Sequence, residues 1–236
     1  MINFLSKKIY IRGNMEVFMN FLEKALEYIF LPSCGICGEL GNGYLCNKCG
    51  KELEKYKIDE YTILYNKEVG DSIEKMHIFK YEDMVRKMLL QYKFNDKSYL
   101  YKTFCEIVVN NKKIFDFIKT YDIIIPVPMH KVRIKERGYN QSELISKEIS
   151  KNSSIKMYKD VLIKIKNNKI QSKLKGKDRV ENTKNVYKLI NAEKINNRKV
   201  LIFDDIYTTG ATINACISEI AKANPSKIGI LTLAKD

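Results

Sequence analysis

A chain of 236 residues is long enough for one large domain, or for one domain with a small appendage. Its 45% hydrophobic and 30% charged residues fit a globular protein in water, and no run of about 18 uncharged apolar residues is present to span a membrane. The formal charge of +14 attracts polyanions, phosphorylated metabolites and nucleic acid alike, and does not choose between them.

Residues 1–14 carry no pattern and read as a poorly ordered extension, with Met15 or Met19 as alternative starts. Over residues 17–31, Phe18, Leu22, Ala25, Leu26 and Ile29 recur at helical spacing with Glu23, Lys24 and Glu27 among them. One apolar stripe of this kind predicts a docking helix, which Pro32 ends. Neither it nor the start around Lys7 and Lys8 has the form of a cleavable signal, so a cytoplasmic protein is expected. Cys34, Cys37, Cys46 and Cys49 then form C-x2-C-x8-C-x2-C. Without a secretion signal this reads as a zinc site, not a disulfide frame. All four positions are thiolates, which leaves no open coordination site for chemistry, so the expected Zn2+ is structural. Contact of this ribbon with DNA is the alternative. Cys105 and Cys216 stand alone in apolar helical patterns and read as core residues. The expected organisation is an extension (1–14), a helix plus four-cysteine ribbon (15–60) and a main domain (61–236).

Residues 51–57 continue as a short charged helix, and residues 61–80 hold one or two strands. Over 81–94, Val85, Met88, Leu89 and Tyr92 fall at i, i+3, i+4 and i+7, which predicts an amphipathic helix. Another helix follows through Cys105, Val108 and Ile114. Lysines and aromatics interleave at Phe79-Lys80-Tyr81, Tyr92-Lys93-Phe94 and Tyr99-Leu100-Tyr101-Lys102. They read as core rings with solvated lysines, although such a pattern would also stack single-stranded bases.

Asp122-Ile-Ile-Ile-Pro-Val-Pro128 is an apolar strand stopped by prolines. The cation-dense loop from Met129 to Gln141 follows, and Leu144, Ile145 and Ile149 mark the next helix. Residues 160–166 give a third strand and residues 186–190 a fourth. Between them, residues 167–185 are polar, basic and without a period, and a loop so long is usually functional. It carries Gln171, Lys173, Leu174, Lys175, Lys177, Arg179 and Asn182. Residues 200–203 then form a buried strand, ended by Asp204 and Asp205 and followed by a turn of Tyr207, Thr208, Thr209 and Gly210. Ile213, Ile217, Ile220 and Ala221 continue as a helix up to Asn224-Pro225, and residues 227–234 are the last strand. Free N–H groups and threonine hydroxyls at a helix start suit a phosphate. Two carboxylates beside it repel phosphate, and suit the hydroxyls of the sugar that carries it or a metal nearby. The stretch therefore reads as a sugar-phosphate cradle, against the plainer alternative of a capped helix with solvated aspartates.

The Lys199–Thr212 stretch resembles the signature for 5-phosphoribosyl 1-pyrophosphate (PRPP) in type I phosphoribosyltransferases: an apolar run, two acids, one apolar residue and a Thr/Gly loop. Further blocks agree in order. They are the cysteine knuckles, Pro126-Val-Pro128 with Arg133 and Arg137-Gly-Tyr-Asn-Gln141, Gln171-x-x-Leu174 and Arg179-x-x-Asn182. Together they resemble the ComF family of competence proteins from about residue 15 to the C-terminus. The resemblance implies an α/β phosphoribosyltransferase fold, a central mostly parallel sheet with flanking helices, behind a zinc ribbon. It implies that PRPP binds with Mg2+, with Asp204 and Asp205 on the ribose hydroxyls or the metal. Tyr207, Thr208, Thr209, Gly210, Ala211 and Thr212 would hold the 5′-phosphate. Val127, Pro128, His130, Arg133 and Arg137 would face the pyrophosphate, and Lys175 would join from a mobile lid over 167–185. It further implies a role in natural transformation, with single-stranded DNA and an ATP-driven DNA-uptake translocase as partners. Turnover onto an unnamed acceptor, DNA or PRPP binding without turnover, and PRPP sensing all stay open.

Overall fold

The computed structural model describes residues 31–41, 43–66, 69–94, 97–167 and 185–236. The strands are Lys57–Asn66 (β1), Asp71–Lys80 (β2), Ile123–Pro126 (β3), Lys156–Met157 (β4), Leu162–Lys164 (β5), Tyr187–Leu189 (β6), Lys199–Tyr207 (β7) and Lys227–Lys235 (β8). The helices are Asn47–Leu53 (α1), Asp83–Phe94 (α2), Leu100–Asn110 (α3), Lys112–Lys119 (α4), Lys131–Arg137 (α5), Gln141–Asn152 (α6) and Ala211–Ala221 (α7). A six-stranded sheet runs in the order β1-β2-β8-β7-β3-β4. β1 and β2 form an antiparallel hairpin, and every other pairing in this sheet is parallel.

The central strands are buried on both faces, which is why they read as unbroken apolar runs. Alternation along them separates two cores. Ile124, Leu201, Phe203, Leu231 and Leu233 meet α2, α3, α4 and α6 on one face. Ile123, Ile125, Val200, Ile202 and Ile230 meet α7 and the small β5–β6 ladder on the other. One close approach pins this arrangement. Gly229 in β8 lies under the Tyr121 ring, whose hydroxyl donates to Glu74 Oε2 at 2.9 Å. A Cβ at 229 would overlap the phenol. Gly229→Ala should therefore cost about 1–3 kcal/mol of stability, read from the denaturant midpoint. An unchanged midpoint would mean that the ring yields freely.

The α/β fold with a mostly parallel sheet is the expected one, and Val85, Met88, Leu89 and Tyr92 are the buried stripe of α2. Several details differ. The helix expected over 51–57 begins at Asn47, inside the cysteine block, and Lys57 already opens β1. β1 therefore begins before residue 60. The helix expected through Cys105 and Ile114 is two helices, because Asn111 turns extended and its side chain accepts from Ile114 N–H at 3.3 Å. The cationic loop after β3 contains α5, capped by His130 and stopped by Gly138 in the left-handed region (φ 85°). α5 buries no residue, so no apolar period announces it. The strands expected at 160–166 and 186–190 pair with each other, antiparallel, and not with the main sheet. Residues 17–30 of the expected docking helix and residues 168–184 of the expected lid lie outside the described residues.

Candidate functional site

β3 and β7 are parallel neighbours, with Pro126 opposite Phe203, and Val127 N–H donates to Phe203 C=O at 2.9 Å. Their carboxyl ends therefore open side by side, where ligands of open α/β sheets bind. The aspartates do not follow β7 but belong to it, because β8 offers partners as far as Lys235. Asp204 sits opposite Thr232, which in turn sits opposite His77 on β2. This polar row is buried at His77, whose Nδ1 lies 2.7 Å from the Thr232 hydroxyl. Burial first, then the Lys235 charge, lowers His77 to about 4 and keeps it neutral.

A cleft of about 220 Å3 lies over the strand ends. Val127, Pro128, Arg133 and Arg137 line it from the β3 side, and Asp204, Asp205 and Thr212 from the β7 side. Asp204 Oδ1 accepts from the Ser142 hydroxyl at 3.1 Å and from Asp205 N–H at 2.9 Å. Burial and the adjacent Asp205 carboxylate push Asp204 up to about 7, against the pull of Lys93 and these two donors. Asp205 Oδ2 pairs with Lys93 Nζ at 2.9 Å. Lys164 approaches from β5, and its pKa is lowered by burial, against the opposing influence of Cys216 and Asp204. Asn140 caps α6 and donates to Val127 C=O at 3.0 Å, which fixes the loop beneath the cations. Lys93, Ser142 and Lys164 carry no local motif. Only packing brings them to the aspartates.

Tyr207, expected in the turn, ends β7 instead; Thr208, Thr209 and Gly210 form the turn next to the cleft, and Ala211 opens α7. Gly210 has φ 75° and precedes α7, whose first N–H lies 3.4 Å from Thr209 Oγ1. The Tyr207 ring packs on His77 with centroids 4.8 Å apart, and its hydroxyl accepts from Lys75 at 3.3 Å. His130 stands apart. Its Nδ1 caps α5 by accepting from Val132 N–H at 3.3 Å, and it lines a neighbouring cavity with Pro126, Leu162 and Ile190. Lys175 lies outside the described residues.

Residues 123–236, from β3 to the C-terminus, match the phosphoribosyl transferase domain. Competence protein F of Haemophilus influenzae is 28% identical over 245 aligned positions, covering 100% of both chains. Competence protein ComFC of Bacillus subtilis is 29% identical over 198 positions, covering 77% of this chain and 74% of that one. These matches support a ComF family member. A solved purine phosphoribosyltransferase from Pyrococcus horikoshii aligns at 16% identity with a TM-score of 0.36, over 59% of this chain and 85% of its own. The domain match contains both β3 and β7 with their following loops, whereas the cysteine ribbon lies N-terminal to it.

The ribbon brings the Sγ atoms of Cys34, Cys37, Cys46 and Cys49 within 4.8 Å of one another. Cys37 Sγ and Cys46 Sγ are 3.6 Å apart, close to the spacing of about 3.8 Å that Zn–S bonds of about 2.3 Å impose in a tetrahedron. Cys34 is drawn up by burial, but backbone N–H groups of Cys46, Cys37 and Ile36 outweigh this and lower it to about 7, whereas burial and the neighbouring thiols raise Cys49. The geometry of the four sulfurs fits a closed zinc site. Asp204 and Asp205 offer hard carboxylate oxygens, the donor type that suits Mg2+. Among the described residues no helix is long and apolar enough to cross a membrane.

Proposed function

We propose that this ComF protein binds PRPP with Mg2+ in the cleft between the ends of β3 and β7, and acts in natural transformation, as the names of its relatives suggest. The observation that carries this reading is charge placement. Lys93, Arg133, Arg137 and Lys164 surround two carboxylates in one cleft, so the site is net cationic yet has an anionic floor. A sugar that carries a diphosphate matches both features. A plain phosphate would meet only the cations.

In this reading Asp204 and Asp205 receive the ribose hydroxyls and the metal, and Ser142 orients the Asp204 carboxyl. The turn from Tyr207 to Thr212 would receive the 5′-phosphate. Val127, Pro128, Arg133 and Arg137 would face the pyrophosphate, joined by Lys175. His130 would act only through α5. Loss of pyrophosphate leaves an electron-poor anomeric carbon, so the protein's share of catalysis is positioning and stabilisation of the departing charge. Mg2+ would supply further neutralisation of the leaving group. The four thiolates would hold Zn2+ as a structural staple. Residues 15–60 and 61–236 would form the ribbon and transferase units of a cytoplasmic protein.

The +14 charge favours a second reading, in which the same cations hold single-stranded DNA without turnover, beside an ATP-driven translocase. Calorimetry separates the two. PRPP should bind only with Mg2+ and with little dependence on salt, whereas DNA binding should weaken steeply as salt rises. Absence of any PRPP heat at saturating Mg2+ would overturn the first reading.

A further inference from the structure

We propose that Lys93 is a substrate-contacting residue of this cleft. It is the counter-ion of Asp205 while the site is empty. It passes to a phosphate oxygen of the ligand when a divalent cation takes over the carboxylate. The proposal rests on the PRPP reading above and assigns a role to a residue outside both loops of the site.

The geometry carries it. Lys93 Nζ lies 2.9 Å from Asp205 Oδ2, with only 21% of the lysine side chain and 9% of the aspartate exposed. A hard divalent cation must come within about 2.1 Å of a carboxylate oxygen. An ammonium group and such a cation repel, so they compete for Asp205 Oδ2. The metal cannot engage that oxygen fully while Lys93 holds it. A displaced, largely buried ammonium needs another anion, because leaving it unpaired is costly. The cleft that Lys93 lines also contains Arg133 and Arg137, so an anionic ligand drawn there would arrive within its surroundings.

The base of Lys93 is held by its neighbours. Tyr92, the preceding residue, is fully buried and its hydroxyl donates to Gln141 C=O at 3.0 Å. The Tyr139 hydroxyl donates back to Tyr92 C=O. The end of α2 is thereby tied to the start of α6, which carries Asn140 and Ser142. Lys93 stands in the last turn of α2, where the helix dipole favours a cation whichever anion it faces. Its four-carbon stem can swing the ammonium between two acceptors without moving the backbone.

The test compares wild type with Lys93→Gln and Lys93→Ala by calorimetry, using Mn2+ alone and then PRPP with Mg2+. The variants should bind Mn2+ alone more tightly, by roughly three- to tenfold, because the competitor is gone. They should bind PRPP roughly ten- to a hundredfold more weakly, because a charge-assisted contact is lost. Lys93→Arg should recover most of the PRPP affinity. A structural residue would weaken both ligands together and lower the melting temperature, and that result would overturn the proposal. Unchanged Mn2+ affinity in folded variants would overturn it too. A wild type that binds Mn2+ but never PRPP would overturn the PRPP reading itself, and this proposal with it. A wild type and variants that bind PRPP equally would overturn this proposal alone.

Discussion

Replacing Asp204 and Asp205 together with asparagine should reduce Mg2+-dependent PRPP affinity by at least about a hundredfold, the consequence of removing charged oxygens from a hard-cation site. Asparagine keeps the shape and can still accept from Ser142, so the loss would report charge rather than collapse. The single variants should differ in stability. Asp205 is the partner of a largely buried Lys93, and removing one member of such a pair costs about 3–5 kcal/mol. Asp204 behaves in the opposite way. Its folded-state pKa is raised to about 7 by burial and by Asp205, well above the ordinary carboxylate value. The folded chain therefore holds a proton there that the unfolded chain releases. This contribution to stability is present at low pH and is lost as pH climbs from about 4 through about 7. Asp204→Asn should flatten that decline in urea denaturation series. Metal binding runs the other way, since it needs the ionised carboxyl, so PRPP affinity should rise over the same window. An Asn/Asn double variant that binds PRPP like the wild type would remove the aspartates from the site.

The strand, acidic pair and helix of residues 199–221 were legible because each signal is local: an apolar run, charges at a strand end, a helical period. Their juxtaposition with the Pro126–Arg137 segment depended on one parallel pairing, which two apolar strands in an α/β chain make natural. Lys93 was not legible as a site residue. It follows the apolar stripe of α2 at Tyr92 and reads as an ordinary solvated lysine, until α2 is tied to the turn at Gln141. Ser142 and Lys164 are hidden for the same reason, since each reaches Asp204 or its surroundings from an element with its own local pattern. α5 was misread because its side chains face solvent and cations, which leaves capping by His130 and Gly138 as its signals. His130, expected to face the pyrophosphate, accepts from Val132 N–H at the start of α5, a local contact that charge patterning alone does not announce.

The other large effect concerns the ribbon. Metal analysis should find about one zinc per chain, and stripping it should unfold residues 33–53 while the cleft at β7 still binds PRPP. The ribbon's buried cluster consists of Cys34, Cys46 and Cys49, with Ile36 and Leu45 packed against it. Among the described residues, so few apolar groups cannot order a segment rich in glycine. In zinc-finger peptides the metal supplies roughly 10–16 kcal/mol at neutral pH. Here the ribbon also leans on α3. Tyr44 N–H donates to Glu106 at 2.9 Å, Thr103 donates to Tyr44 C=O at 2.9 Å, and Lys102 donates to the Tyr44 hydroxyl at 2.8 Å. Gly35 lies against Leu100 and Thr103 too closely to admit a side chain. Losing the metal should therefore expose α3 on its ribbon side and lower the melting temperature of the whole chain. Cys46→Ser should reproduce part of this, because Cys46 is 1% exposed and its hydroxyl replacement is a poorer zinc ligand. Limited proteolysis reads the outcome directly: cuts should appear within 33–53 before any appear in β7 or α7. A zinc-free chain that resists cleavage there as well as the loaded one would show that contacts with α3, not the metal, hold the ribbon.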